Sequence, residues 1–571
     1  MYLTKSHKMD MLNSEKIRTF FINIVLIVLT VFIGFPLIAL MLKGFQNYHG
    51  EFVGLKNFSE YLSLPGVLTS FKNTISISSV TTVISLILGF TYAYGIARCN
   101  LYKKNFLKWV ALLPLFAPTM LHGISLVYLF GRMGAVTTGF FGYLPFLQKD
   151  IDLYGPVGII ISEVIYTFPQ VYLMLSVALG NSDYRLYEAA KTLGTSTTKQ
   201  FFKITLPSCK YAIFSAITVS FILAFTDFGA PKVVGGNFNV LATDIYKQVV
   251  GQQNMERGSV ISMFMLIPAV IAFFIENTIS KKQRDVFNGK SLKYKIGNSK
   301  SRDLFFNIFC YTIALGIITV FITPVVASFV KMWPYNFTFT LNNYRFFDFN
   351  GGAFAFYKNS ITIALLSGII GTTLSYFGAY FTLKTAGLEN IKKIMRFFSI
   401  IPLALPGMVL GLAYIFFFNM KFINLPFIGQ IYNIFNPLYG TLWLMVLVNV
   451  THFYSVAYMT AYTGLKKLDK EFEVVSLSMG IPWYKTLTQV TIPLTVDTIG
   501  EIFVYYFLNA MTTVSAIIFL YTSKITVASI AMVNLDDVGD QAKAAAMGVL
   551  IISTNLVLKI VYEKFKSRKK I

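Results

Sequence analysis

With 571 residues, 55% hydrophobic and only 13% charged at a mean hydropathy of +0.62, the chain carries about half the charged fraction of a soluble domain. Lipid must therefore be the solvent for much of its surface. The formal charge of +23 falls in short loops between apolar runs, so nucleic acid is not needed to explain it, and the widely spaced Cys99, Cys209 and Cys310 exclude a disulfide framework or metal-ligand spacing.

A spanning helix needs about 20 mostly apolar residues. Runs of that length lie near 20–42, 73–96, 106–130, 156–179, 209–229 and 258–278, then near 304–330, 359–382, 395–419, 438–462, 497–520 and 543–562. This predicts an all-α integral membrane protein of about 12 transmembrane helices. The first run has no small-residue cleavage site and is long enough to span, so it reads as a retained start-transfer helix. The N-terminus, the alternate loops and the C-terminus hold about 35 of the 49 Lys and Arg, which predicts both termini on the cytoplasmic side of the membrane. The same charges suit contact with anionic lipid.

The two sets of spans are repeats. Phe71-Lys72-Asn73-Thr74 matches Tyr357-Lys358-Asn359-Ser360, Pro36 matches Pro324, and Pro114 and Pro118 match Pro402 and Pro406, at an offset of 285 to 288. Six spans return the chain to its starting side, so the halves are parallel repeats. The expected organisation is a first half at 1–280, a basic cytoplasmic linker at 281–303 and a second half at 304–571.

The loop between the fourth and fifth spans reads Asp183-Tyr-Arg-Leu-Tyr-Glu188-Ala189-Ala190-Lys-Thr-Leu-Gly194, then nine residues, then Ile204-Thr-Leu206-Pro207. This predicts a short helix broken at Gly194, where glycine permits positive backbone angles, then a second short helix and a span opened by Pro207. Such a bent, partly apolar element suits the groove of another protein. The second half repeats the frame as Asp469, Glu473-Val474-Val475-Ser476, Gly480, Val490-Thr-Ile492 and Pro493.

That frame resembles the "EAA" loop of bacterial ABC importer permeases with the MetI-like transmembrane fold. The resemblance implies two MetI-like six-helix halves fused in one chain. It implies that Glu188, Ala189, Ala190 and Gly194, with Ile204, Leu206 and Pro207, dock on a cytoplasmic ABC ATPase dimer. The second loop, through Glu473, Gly480 and Pro493, is expected to dock more weakly, because its Glu-Ala-Ala triplet is lost. A solute-binding protein outside would deliver cargo, and ATP and Mg would bind the ATPase, leaving this chain with no cofactor of its own. Nearly the whole chain resembles the fused ferric iron, 2-aminoethylphosphonate, thiamine and polyamine permeases. Thr226 to Gly236, Leu241 to Gln248 and Asn534 to Asp540 look most like the 2-aminoethylphosphonate branch, with ferric iron the alternative.

Asp227 lies near the outer end of the fifth span, and an intramembrane acid is a functional candidate. It would meet an ammonium or a cation, with Lys232 meeting a phosphonate; alternatively, Asp227 caps a helix or pairs with Lys232. The second-half counterpart of Asp227 is Thr513, so any substrate path is asymmetric. His122, His452 and Glu163 read as internal hydrogen-bonding groups.

Gly289-Lys290-Ser291 resembles the end of a phosphate-binding loop, but the required first glycine is Arg284 and no strand precedes it. The chain is expected to be a pore subunit working by alternating access, not an enzyme. An ion-coupled secondary transporter is the rival, but it would need more intramembrane acids and no docking loop.

Overall fold

In the computed structural model, residues 5–64, 66–286, 292, 294–346, 355–385, 388–425, 429–469 and 471–568 are described. Among these, 8 helices are long and apolar enough to cross a membrane, or up to 12 when each of 4 bent pairs counts as one span. Sheet among the described residues is confined to two small hairpins, Val330–Met332 with Asn336–Phe339 and Phe422–Leu425 with Gly429–Tyr432.

The bent pairs show where hydropathy alone misleads. The run expected at 106–130 is two helices, Lys104–Phe116 and Thr119–Phe130, at 104°, and that at 395–419 is Glu389–Ala404 and Gly407–Phe418 at 114°. Each corner falls at the residue before a proline, Ala117 (φ −115°, ψ 146°) and Leu405 (φ −94°, ψ 114°). A following proline disfavours the helical region for just this residue. Milder bends divide Leu442–His452 from Tyr454–Lys466 (53°) and Trp483–Leu494 from Val496–Thr512 (73°).

Three other prolines are absorbed differently. Pro36, Pro207 and Pro493 each follow a single π-helical turn, at Thr30–Gly34, Phe201–Thr205 and Leu487–Thr491. A helical proline clashes with the carbonyl four residues back. That carbonyl belongs to Phe32, Lys203 or Gln489, inside the widened turn in every case. The helix therefore widens by one residue and continues past the proline, to Gly44 after Pro36 and to Thr226 after Pro207 but only to Leu494 after Pro493, where the 73° bend follows.

Compact packing does not follow the linear halves. One unit comprises Leu55–Phe347 and Ala531–Ile552; the other comprises Met1–Gly54, Asp348–Ile530 and Ser553–Ile571. The opening helix of each half is thus exchanged: Lys300–Ser328 packs with the spans of the first half, and Lys16–Gly44 with those of the second. The packing units cut across the halves expected at 1–280 and 304–571.

In the first unit, helices Val67–Arg98 and Pro156–Gly180 form the centre, approaching closely at Gly89, where a Cβ would lie 2.6 Å from Val171 Cγ1. Small residues permit such approach where no water drives helices together. Three polar side chains of the first bond within their own helix: Thr74, Ser78 and Thr82 each donate to the carbonyl four residues back, at 2.6 to 2.7 Å. Ser85 and Thr167 bond across the two helices at 2.7 Å, a contact worth about 1 kcal/mol in a membrane bundle.

In the second unit, Phe21 of the exchanged first helix stacks on Phe381 at 5.2 Å. Helices Ala355–Lys384 and Val496–Thr512 form its centre, with Tyr506 fully buried.

Candidate functional site

The two loops singled out by sequence have one architecture. In the first, Asp183 caps helix Tyr184–Thr192 by accepting from Arg185 N at 3.0 Å. The Arg185 side chain bonds the same carboxylate at 2.5 to 3.1 Å and holds its pKa down at about 2. Gly194 closes the helix at φ +69°, with Thr195 N donating to Ala190 O at 2.9 Å and Gly194 N to Lys191 O at 3.0 Å. This six-to-one closure is the glycine-dependent helix stop. The turn Thr197–Gln200, the π-turn and Pro207 then lead into the fifth span.

The second loop repeats each step. Asp469 accepts from Glu471 N at 3.0 Å, and helix Glu471–Ser478 follows. Gly480 sits at φ +68°, with Ile481 N donating to Ser476 O at 2.9 Å. Trp483–Thr486, the π-turn and Pro493 complete the frame. Glu473 lies on this helix; its side chain is outside the described residues. Loss of the Glu-Ala-Ala triplet has left the backbone design intact.

What each loop offers to a partner is partly visible in the triplet and partly not. Glu188, Ala189 and Gly194 are exposed and Ala190 half-buried, while Ile204 and Leu206 are half-buried and Pro207 exposed. The residues missed by sequence reasoning are the apolar ones that flank them. Leu193 is 82% exposed and its repeat counterpart Met479 is 68% exposed; Leu186 is 55% and Phe472 47% exposed. Both pairs fall at the 286-residue offset, so an apolar residue at each end of each helix, seven apart, was a readable signal. Each short helix thus carries a matched pair of exposed apolar side chains.

The exchanged opening helices reach these loops. In the first unit, Phe306 packs on Tyr94 at 5.4 Å and Tyr94 on Phe201 of the π-turn at 5.7 Å. In the second, Arg18 donates to Lys384 O at 2.8 Å and lies 5.9 Å from the Trp483 ring.

The residues expected along a substrate path are engaged separately. Asp227 accepts from Ala230 N at 2.9 Å, capping the turn Gly229–Val234, and from Thr119 Oγ1 at 2.8 Å. Glu163, fully buried, is its carboxyl neighbour. Lys232 does not pair with Asp227; it pairs with Asp537 at 2.7 Å and lies 4.9 Å from the Tyr246 ring. Thr513 donates to Asn509 O at 2.7 Å, and its carbonyl accepts from Ser529. The hydrogen-bonding role expected of His122 finds no partner for either ring nitrogen among the described residues; the ring lies edge-on to Phe321 at 5.6 Å. His452 lies edge-on to Phe453 at 4.6 Å, with no partner for Nδ1 among the described residues. Gly289, Lys290 and Ser291 lie outside the described residues.

A duplicated helical membrane chain with two bent loops of one design is a multi-pass transport permease in class. Residues 85–285 and 378–571 match the family described as binding-protein-dependent transport system inner membrane component. The chain belongs to that family, with one match in each half. It is similar to the ferric transport system permease protein FbpB of Actinobacillus pleuropneumoniae, 26% identical over 570 residues, covering 97% of this chain and 79% of the relative. A putative ferric transport system permease protein FbpB 1 of Haemophilus influenzae is 26% identical over 535 residues, covering 90% of this chain and 80% of the relative. The molybdenum transport system permease protein ModB of Haemophilus influenzae matches over 222 residues at 25% identity, 38% of this chain but 95% of that relative. That proportion fits a permease of a single half. The chain is thus an ABC importer permease of the inner membrane, and the phosphonate branch favoured by the local stretches is not supported by these relatives.

Proposed function

We propose that this chain moves ferric iron across the inner membrane, as the pore subunit of an importer powered by a separate cytoplasmic ATPase dimer. The observation that carries the coupling role is the shared geometry of the loops at 183–207 and 469–493, each an Asp-capped helix closed by a positive-φ glycine with exposed apolar residues at its ends. A short rigid helix with two apolar anchors fits a groove. The cargo reading is supported by the two relatives that match most of this chain, both ferric transport permeases. Both termini face the cytoplasm, and an extracytoplasmic binding protein presents the cargo. ATP and Mg bind the ATPase, whose closure draws the coupling helices together and rocks the permease from inward- to outward-open. Coupling is reciprocal: what favours the outward state also favours the ATP-closed dimer.

The test is ATP hydrolysis by the chain reconstituted in liposomes with its ATPase and binding protein. Ferric-loaded binding protein is expected to stimulate hydrolysis, and Gly194→Pro to abolish the stimulation. Stimulation by 2-aminoethylphosphonate in place of iron would overturn the cargo assignment. An ATPase that neither binds nor responds to the chain would overturn the importer reading for this protein.

A further inference from the structure

The linker joining the halves reads in sequence only as a basic cytoplasmic segment at 281–303. Its described end is docked on the first coupling helix instead. The Leu292 carbonyl accepts from Tyr184 N at 3.0 Å. Two residues on, Tyr294 packs edge-on against Tyr184 at 5.3 Å and Tyr187 at 5.0 Å. The linker thus pairs with the helix cap through its main chain and with one helix face through a ring.

Beneath that ring lies a buried charge. Arg98, at the end of the second span and 2% exposed, has its guanidinium carbon 3.7 Å from the Tyr294 ring centroid and 5.1 Å from that of Tyr187. Nη2 donates to Leu179 O at 3.1 Å, to Ser182 Oγ and to Tyr187 Oη at 3.4 Å; Nε and Nη1 have no hydrogen-bond partner among the described residues. A desolvated guanidinium covered by rings is held by cation–π attraction, which strengthens as water is removed. Tyr187 in turn bonds Thr205 Oγ1 at 2.9 Å, so the same cluster joins the coupling helix to the π-turn beyond it.

We propose that Tyr294 is a positioning residue for the first coupling helix, clasping it to Arg98 so that the inter-half linker sets the angle of one ATPase-docking site. The second site is set by another element. The repeat counterpart of Arg98 is Lys384, whose carbonyl is taken by Arg18 of the N-terminal helix. There the ring beside the arginine is Trp483 of the loop itself. The inference rests on the coupling reading of 183–207, but the clasp itself is measurable without any ATPase.

The experiment uses the full chain in lipid nanodiscs, reading amide hydrogen exchange in 184–192 and 471–478, with stimulated hydrolysis on the reconstituted complex beside it. Tyr294→Ala is expected to speed exchange in 184–192 about tenfold and leave 471–478 unchanged, because only one local opening is affected. Tyr294→Phe keeps the ring and is expected to behave as the parent. Stimulated hydrolysis is expected to fall about fivefold in Tyr294→Ala with an unchanged KM for ATP, the sign of lost coupling rather than lost nucleotide binding. Unchanged exchange in 184–192, or equal acceleration in both loops, would overturn the clasp. Faster exchange with undiminished hydrolysis would overturn the positioning role. Should Leu193→Arg, on the exposed face, also leave hydrolysis intact, the coupling reading is what has failed.

Discussion

The loops at 183–207 and 469–493 share a backbone and differ in their side chains. Asp183 and Asp469 cap alike, Gly194 and Gly480 turn alike within 1° of φ (+69° and +68°), and Pro207 and Pro493 follow equivalent π-turns. Yet Glu188 faces solvent where its counterpart is Val474, 62% exposed. The lesson is that the motif's named triplet is the replaceable part. What both loops keep is a rigid bend and two exposed apolar ends. The weaker docking expected of the second loop thus rests on the triplet alone; its exposed apolar ends, Phe472 and Met479, are retained.

The sharpest way to break this comparison is at the bend. Gly194→Val and Gly480→Val each force a β-branched residue to positive φ, a strain of about 1–3 kcal/mol at the corner. Each is expected to cut stimulated hydrolysis at least about tenfold by misaiming its helix; an effect in one loop alone would show that the sites are unequal. Next come the anchors. Leu193→Ala and Met479→Ala are expected to weaken ATPase binding about tenfold apiece, as central apolar contacts do, with no change in the melting temperature of the free chain. Titrating labelled ATPase onto each variant measures this.

Smaller effects separate the triplets. Glu188→Ala is expected to lower the association rate of the ATPase about threefold and more so at low salt, as rim charges do. Val474→Glu should leave the rate within about twofold; a large gain would show the second loop to be a damaged copy of the first. Smallest is the pH response of the first cap. Asp183 is lowered from its ordinary 3.8 to about 2, chiefly by the Arg185 side chain. Its contribution is therefore fully present above the ordinary value and lost as pH falls through about 2. Exchange protection at 184–187 should be flat from pH 7 to about 4 and then decline, and Asp183→Ala should remove that decline.

The spans and the duplication were legible because lipid imposes a run of apolar residues and repeats preserve their spacing. The corners at Ala117 and Leu405 were legible only in part. Pro118 and Pro406 were in plain view, but whether a proline is absorbed by a π-turn, as before Pro207, or turns the chain through 104°, depends on packing. Lys232 was read beside Asp227 from proximity in sequence; a partner more than three hundred residues away, Asp537, holds it instead. Tyr294 was hidden in a run of basic residues, where charge drew the eye and an aromatic side chain carried the contact.

The exchange of opening helices has a consequence for how the chain is made. A ribosome that has released the first six spans has delivered a unit still lacking Lys300–Ser328, and holding a first helix, Lys16–Gly44, whose companions do not yet exist. Neither bundle can close until translation has passed the linker, and the N-terminal helix must wait in the bilayer for the second half. Fusing the halves makes that wait a certainty of meeting the right partner. A gene cut at the linker would leave two products that fold only by finding each other.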